Sequence, residues 1–143
     1  HFNIPQSRWW SLFPNKATIF SDTEPFVITG DSTTVDGRSQ TAFTGDTNPN
    51  GNEVCFWGEH PNSLGSPMII LRSDGNVIVG LDEMQRRGYG ISISPGSEGN
   101  RIIGNTISAL LYAAVRIEGS FNTVGGTAPG EGRTERGDMA DLR

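Results

Sequence analysis

Met68-Ile-Ile-Leu-Arg-Ser-Asp-Gly-Asn-Val-Ile-Val-Gly80, Ser92-Ile-Ser-Pro-Gly-Ser-Glu-Gly-Asn-Arg-Ile-Ile-Gly104 and Arg116-Ile-Glu-Gly-Ser-Phe-Asn-Thr-Val-Gly-Gly126 state one phrase three times. Ile69 is followed seven residues later by Asn76, nine later by Ile78 and eleven later by Gly80, and Ile93 is followed at the same offsets by Asn100, Ile102 and Gly104. Ile117 opens a third copy that reaches Asn122, Val124 and Gly126 two residues early. Self-similarity at a period near 24 residues is the mark of stacked supersecondary units.

Each copy opens with apolar residues at alternate positions, in Pro67 and Ile69, Ile91 and Ile93, Val115 and Ile117. Alternation of period two predicts a strand with one buried face. A turn rich in Gly, Ser, Pro or Asp follows, then a short β-branched run. Units this short suit strands joined by tight turns, each strand bonded to its equivalent one unit away at roughly 4.8 Å. The alignment predicts columns of Ile69 over Ile93 over Ile117, and of Ile78 over Ile102 over Val124. Asn76, Asn100 and Asn122 form a third column that reads as structural, because turn amides bond their own backbone and stacked amides bond one another. The expected fold is therefore all-β, a single-stranded right-handed parallel β-helix of about four to five coils.

The phrases Asn100-Arg-Ile-Ile-Gly-Asn-Thr-Ile107 and Val115-Arg-Ile-Glu-Gly-Ser-Phe-Asn-Thr-Val-Gly-Gly-Thr127, with Phe2-Asn-Ile-Pro5 and Val35-Asp-Gly-Arg-Ser-Gln40 before them, resemble the right-handed parallel β-helix repeat proteins of the pectate-lyase-like kind. The resemblance implies the fold, an exported or cell-surface setting and a link to carbohydrate. It implies no particular activity, since one scaffold carries many functions.

The chain of 143 residues has room for one domain, with coils over about 2–127 and a polar tail over about 128–143. Nineteen glycines and eight prolines suit many turns and a narrow core. A net charge of −5 argues against binding nucleic acid. No apolar run nears the ~20 residues that would cross a membrane. The single Cys55, in Val54-Cys-Phe-Trp57, reads as a small buried hydrophobe.

Taken in order, Phe2-Asn-Ile-Pro5 opens abruptly, which suggests a fragment or a shortened gene. Trp9 and Trp10 offer flat apolar faces suited to sugar, but the preferred reading has one closing the end of the core and the other on the surface. Residues 18–37 make a first coil, with Thr33 in the place of the column asparagine. Residues 38–52 read as a loop from their Gly, Thr, Asn and Pro content; its Asp and Asn residues lack calcium-loop spacing, and no metal or cofactor site is read. His60 reads as an exposed turn residue.

Leu81 to Gly90 reads as the most charged connection between coils. Asp82, Glu83, Arg86, Arg87 and Tyr89 are the candidate substrate-binding residues, because carboxylates, guanidinium groups and an aromatic ring together suit an acidic polysaccharide. The equivalent connection in the next coil, Ser108 to Ala114, is apolar through Ala109, Leu110, Leu111 and Tyr112. A charged connection beside an apolar one, with bare strand edges at both ends, predicts a homo-oligomer that hides Trp9, Trp10, Leu110, Leu111 or Tyr112. Met139 to Leu142 is expected to be a last helical turn or a tail. The functional expectation is a non-catalytic binding or structural protein, with carbohydrate as a possible ligand. The alternative is a polysaccharide lyase or glycoside hydrolase working from the Asp82 to Tyr89 face.

Overall fold

A computed structural model describes residues 1–21, 24–49, 51–58, 65–85, 88–107, 112–125 and 141–142. A 3-10 turn at Gln6–Arg8 precedes strands β1 (Ala17–Phe20), β2 (Phe26–Ile28) and β3 (Thr34–Asp36) and the helix α1 (Arg38–Thr44). After these come β4 (Val54–Trp57), β5 (Pro67–Leu71), β6 (Val77–Val79), β7 (Asp82–Gln85) and β8 (Tyr89–Ile93). The last are β9 (Arg101–Ile103), β10 (Ala113–Ile117), β11 (Thr123–Val124) and β12 (Asp141–Leu142).

The strands form three sheets in which every pairing is parallel. Sheet A is ordered β1-β4-β7, sheet B β12-β10-β8-β5-β2, and sheet C β11-β9-β6-β3. From β2 to β8 the chain visits B, then C, then A, and returns to B, and the described strands from β8 onward alternate between B and C, so consecutive strands lie in different sheets and hydrogen-bonded neighbours are successive visits. Such an order explains the repeat directly: each phrase supplies one strand of B and one of C.

The register corrects one expected column. Sheet C aligns Val35, Ile78, Ile102 and Val124 as predicted. In sheet B, however, Ile69 pairs with Ile91 and Leu71 with Ile93, and these continue to Val115 and Ile117. Ile69 therefore does not lie against Ile93. The discrepancy comes from turn length, since Asn76 and Asn122 follow their B strands by five residues whereas Asn100 follows by seven. The middle turn, Ser94 to Gly99, is the long one; the third is of ordinary length. Ile69, Leu71, Ile78, Ile91, Ile93 and Ile102 are all buried in one core with Val54, Phe56, Leu81 and Val115.

The asparagine column is a continuous ladder. Thr33 N–H donates to Asn76 Oδ1 at 2.9 Å, Asn76 N–H to Asn100 Oδ1 at 2.9 Å, and Asn100 N–H to Asn122 Oδ1 at 2.8 Å. The side-chain amides repeat the step, with Nδ2 of Asn76 2.8 Å from Asn100 Oδ1 and Nδ2 of Asn100 3.0 Å from Asn122 Oδ1. Thr33 takes the first place through its backbone alone, as its hydroxyl donates to Gly30 O. An unsatisfied amide buried here would cost about 1–3 kcal/mol, so the ladder ties the turns of adjacent visits together.

Three further expectations are corrected. Residues 38–52 are not all loop, because Arg38–Thr44 is the helix α1. Gly, Asn and Pro are confined to 45–52, and Gly45 ends the helix with its N–H on Thr41 O. Gln40 is wholly buried, its amide holding both Ile4 N–H and Ile4 O, so the helix and the N-terminal segment secure each other. The connection from Leu81 to Gly90 contains β7, the third strand of sheet A. Finally, Asp141 and Leu142 are not helical; they pair with Arg116 and Ile117 as the edge of sheet B. The ladder's final glycine position, Gly126, and His60 lie outside the described residues, while Cys55 is buried as expected.

Gly37 shows how closely the visits approach. A Cβ there would collide with the carbonyl oxygen of Gly80, which is backbone and cannot turn aside. Gly37→Ala is expected to destabilise the chain by about 2–3 kcal/mol, read as a lower urea midpoint at unchanged slope.

At the exposed corner beside it, Arg38 forms a two-point ion pair with Asp36, at 2.8 Å from each of two guanidinium nitrogens. Hydrogen bonding to Arg38 holds the Asp36 carboxyl below its usual range. A depressed native value means that the stabilisation is complete above the unfolded carboxylate range, near pH 4, and is lost as pH falls through the native value. Because Arg38 is 63% exposed, solvent screening keeps the pair small. Asp36→Asn should lose at most about 1 kcal/mol at neutral pH and nothing once Asp36 is protonated in the native state; urea titrations at several pH values would check it.

Candidate functional site

Two groups of polar and aromatic side chains stand apart from the core, and the sequence candidates divide between them. Asp82 opens β7 in sheet A, opposite Cys55 of β4, and is buried. Its Oδ2 lies 2.6 Å from Lys16 Nζ, with side-chain exposures of 13% for Lys16 and 5% for Asp82. Asn48 Nδ2 lies 3.3 Å from the same oxygen and donates to Asn52 O. Lys16 directly precedes β1 and Glu53 directly precedes β4, so parallel pairing gathers the starts of β1, β4 and β7 at one end of sheet A. Glu53 is buried as well, its carboxylate accepting from the Thr41 hydroxyl of α1. Burial strips these charges of hydration, and an ion pair offsets that loss only with close geometry; the Lys16–Asp82 contact has it.

Tyr89 lies elsewhere, at the start of β8 in sheet B. Its register partner is Ala113, which places Tyr112 beside it, and Tyr112 N–H donates to Gly88 O at 2.9 Å. The two rings meet with centroids 5.3 Å apart at 41°. Arg116, two strand positions beyond Ala114, sets its guanidinium carbon 5.6 Å from the Tyr89 ring centroid and donates to Glu118 at 2.7 Å. Tyr112 is 62% exposed, so the patch presents an aromatic face, a cation held over it and a carboxylate to solvent. Such a surface can stack on an apolar face of a ligand while hydrogen-bonding its polar rim.

Of the sequence candidates, then, Asp82 lies in the buried group and Tyr89 in the exposed patch. Arg86 and Arg87 lie outside the described residues, and for Glu83 only the backbone is described, within β7. Lys16, Asn48 and Glu53, which lie far from Asp82 along the chain, and Arg116 are not among the sequence candidates. The signal that could have found Arg116 is the strand period itself, which puts it on the outer face beside Ser92.

The tryptophans depart from the packing reading, which put one of them on the surface: both Trp9 and Trp10 are half-buried. Trp10 meets Phe13, Phe20 and Trp57 edge-on at 5.2–5.9 Å, and Phe13 meets Trp57 at 5.2 Å with a tilt of 52°. Trp9 is half-buried with its indole N–H on Ile4 O. Comparison with family profiles, with curated proteins and with solved structures returns no match for this chain.

Proposed function

We propose that the chain is a non-catalytic binding or structural protein whose three parallel sheets are the faces of one right-handed β-helix, and that it binds carbohydrate at the Tyr89, Tyr112 and Arg116 patch. The observation that carries this reading is the exposed Tyr112 against the half-buried Tyr89, with Arg116 over the Tyr89 ring. Sugars bind proteins by stacking their C–H faces on such rings, and an adjacent guanidinium favours a uronate or sulfate. The burial of Asp82 against Lys16 supports the non-catalytic side, because a carboxylate in that position is occupied and turned from solvent.

A glycan array with the purified chain should select acidic polysaccharides over neutral ones. Tyr112→Ala is expected to weaken that binding about tenfold, near 1.4 kcal/mol, as is Arg116→Ala at low salt. Absence of binding to any glycan would end the carbohydrate reading.

Self-association belongs to the same proposal. β1, β2 and β3 are the outer strands at one end of all three sheets, with Phe26 40% and Val27 43% exposed on β2. Among the described residues no strand pairs with these outer edges, and parallel edges with apolar residues favour pairing with another chain. Light scattering at micromolar concentration should give a mass above that of one chain; a monomer there would contradict it.

A further inference from the structure

The group at the start of sheet A holds an amine, an amide and a carboxyl in an arrangement that does more than balance charge. Asp82 Oδ2 is 2.6 Å from Lys16 Nζ and 3.3 Å from Asn48 Nδ2, so one oxygen touches both nitrogens. Two further contacts frame the site around that shared oxygen. Thr47 Oγ1 donates to Asn15 O at 3.1 Å, which lays the neighbours of Asn48 and Lys16 side by side. Gly51 closes over Asp82 and Asn48: a Cβ on it would sit 3.0 Å from Asp82 Oδ1 and 3.2 Å from Asn48 Nδ2. Asn48 and Asp82 are each 4% exposed, so bulk water has little access to either.

We propose that Lys16 and Asn48 become joined by an intramolecular amide, with Asp82 carrying the protons. The ammonium of Lys16 passes one proton to the Asp82 carboxylate across their contact, leaving a neutral amine. The Nζ lone pair attacks Asn48 Cγ, forming the new C–N bond and a tetrahedral centre. Asp82 gives its proton to Nδ2 and takes one from Nζ. The Cγ–Nδ2 bond breaks and ammonia leaves, with nothing oxidised or reduced. The product is a secondary amide between Nζ and Cγ beside a protonated Asp82, which can donate to the new carbonyl. Proximity turns an otherwise negligible aminolysis into a unimolecular step, and a carboxyl touching both the attacking and the departing nitrogen is placed for general acid–base transfer. The link would close the chain between the start of β1 and the loop before β4, covalently fixing two strands of sheet A that hydrogen bonds otherwise hold.

Mass spectrometry of the intact full-length chain tests the proposal. The expected mass is below the sequence mass by one ammonia, with a protease digest yielding a branched peptide that joins Lys16 to Asn48. Lys16→Arg keeps a cation for Asp82 but cannot form the amide, and Asp82→Asn removes the proton carrier; both should return to their full sequence masses. The wild-type mass is decisive even if a variant fails to fold. A wild-type chain at full sequence mass would overturn the proposal, and so would loss of one water with Lys16 joined to Asp82. Loss of ammonia mapped to a linear peptide with a succinimide at Asn50-Gly51 would overturn it too.

Discussion

Asn100→Ala is expected to lower the unfolding free energy by about 3–4 kcal/mol, a loss large beside the 5–15 kcal/mol that holds a domain folded. The position is wholly buried at the centre of the ladder. Its Oδ1 receives both Asn76 N–H and Asn76 Nδ2, and its own Nδ2 donates to Asn122. Truncation leaves Asn76 N–H without a partner in a buried site, at about 1–3 kcal/mol. Asn76 Nδ2 suffers less because Ser73 O and Ser73 Oγ also accept from it. To the orphaned donor are added the lost bonds themselves and a small cavity. Two comparisons make the prediction specific. Asn122→Ala, at a half-buried end, should cost less, and Thr33→Ala should fall within about 0.5–1 kcal/mol, since Thr33 enters the ladder through its backbone. Equal losses at all three positions in urea unfolding would show that the side chains act singly and not as a ladder.

Ile93→Ala is the second large effect, expected at about 3–5 kcal/mol. Ile93 is wholly buried, and the register sets Leu71 on one side of it and Ile117 on the other. Its neighbours are held by backbone pairing and cannot collapse into the space, so most of the cavity persists. Arg72→Ala, one residue past the column on the exposed side, should change stability by less than about 0.5 kcal/mol. The register itself can be read by double-mutant cycles. Leu71 and Ile93 should couple by about 0.5–1.5 kcal/mol, whereas Ile69, paired with Ile91, should couple to Ile93 more weakly. The reverse order would restore the alignment that the repeat first suggests.

That alignment shows which parts of this fold a sequence can reveal. The sheet C column and the asparagines were legible because a β-branched residue, an amide and a glycine recur at one spacing. The sheet B register was not, because Ile69 and Leu71 both face the core and only the turn lengths decide which of them meets Ile93. Two extra residues in Ser94 to Gly99 shift the apparent match by one full period of the strand. The turns also conceal a second ladder: Asp74 N–H donates to Asp31 Oδ1 and Glu98 N–H to Asp74 Oδ1. Asn105, likewise, accepts from Leu81 N–H and donates to Ile78 O, binding one visit to the previous. None of these residues recurs often enough in the chain to mark a column.

Helix α1 was hidden for a different reason. Arg38-Ser-Gln-Thr-Ala-Phe-Thr44 has little helical propensity, and its amphipathic signal is slight over seven residues. What secures it is Gln40, whose amide completes the hydrogen bonds of the N-terminal segment near Ile4. The candidate site was half legible. Tyr89 and Tyr112 were each noticed, yet one was read with a charged connection and the other with an apolar one. Their meeting follows from the pairing of β8 with β10, which alignment on Ile93 and Ile117 does contain. The Lys16, Asn48 and Asp82 group needs sheet A, and sheet A has no repeated phrase.

Successive visits to each sheet lie directly against one another in parallel, tied on one side by their asparagines. Through-hydrogen-bond scalar couplings in the NMR spectrum of the labelled protein measure this most directly. Couplings are expected from Asn76 N–H to Asn100 Cγ and from Asn100 N–H to Asn122 Cγ, together with parallel-strand Overhauser contacts linking Ile70, Ser92 and Arg116. Antiparallel contacts between β5 and β6, with no coupling between Asn76 and Asn100, would contradict it.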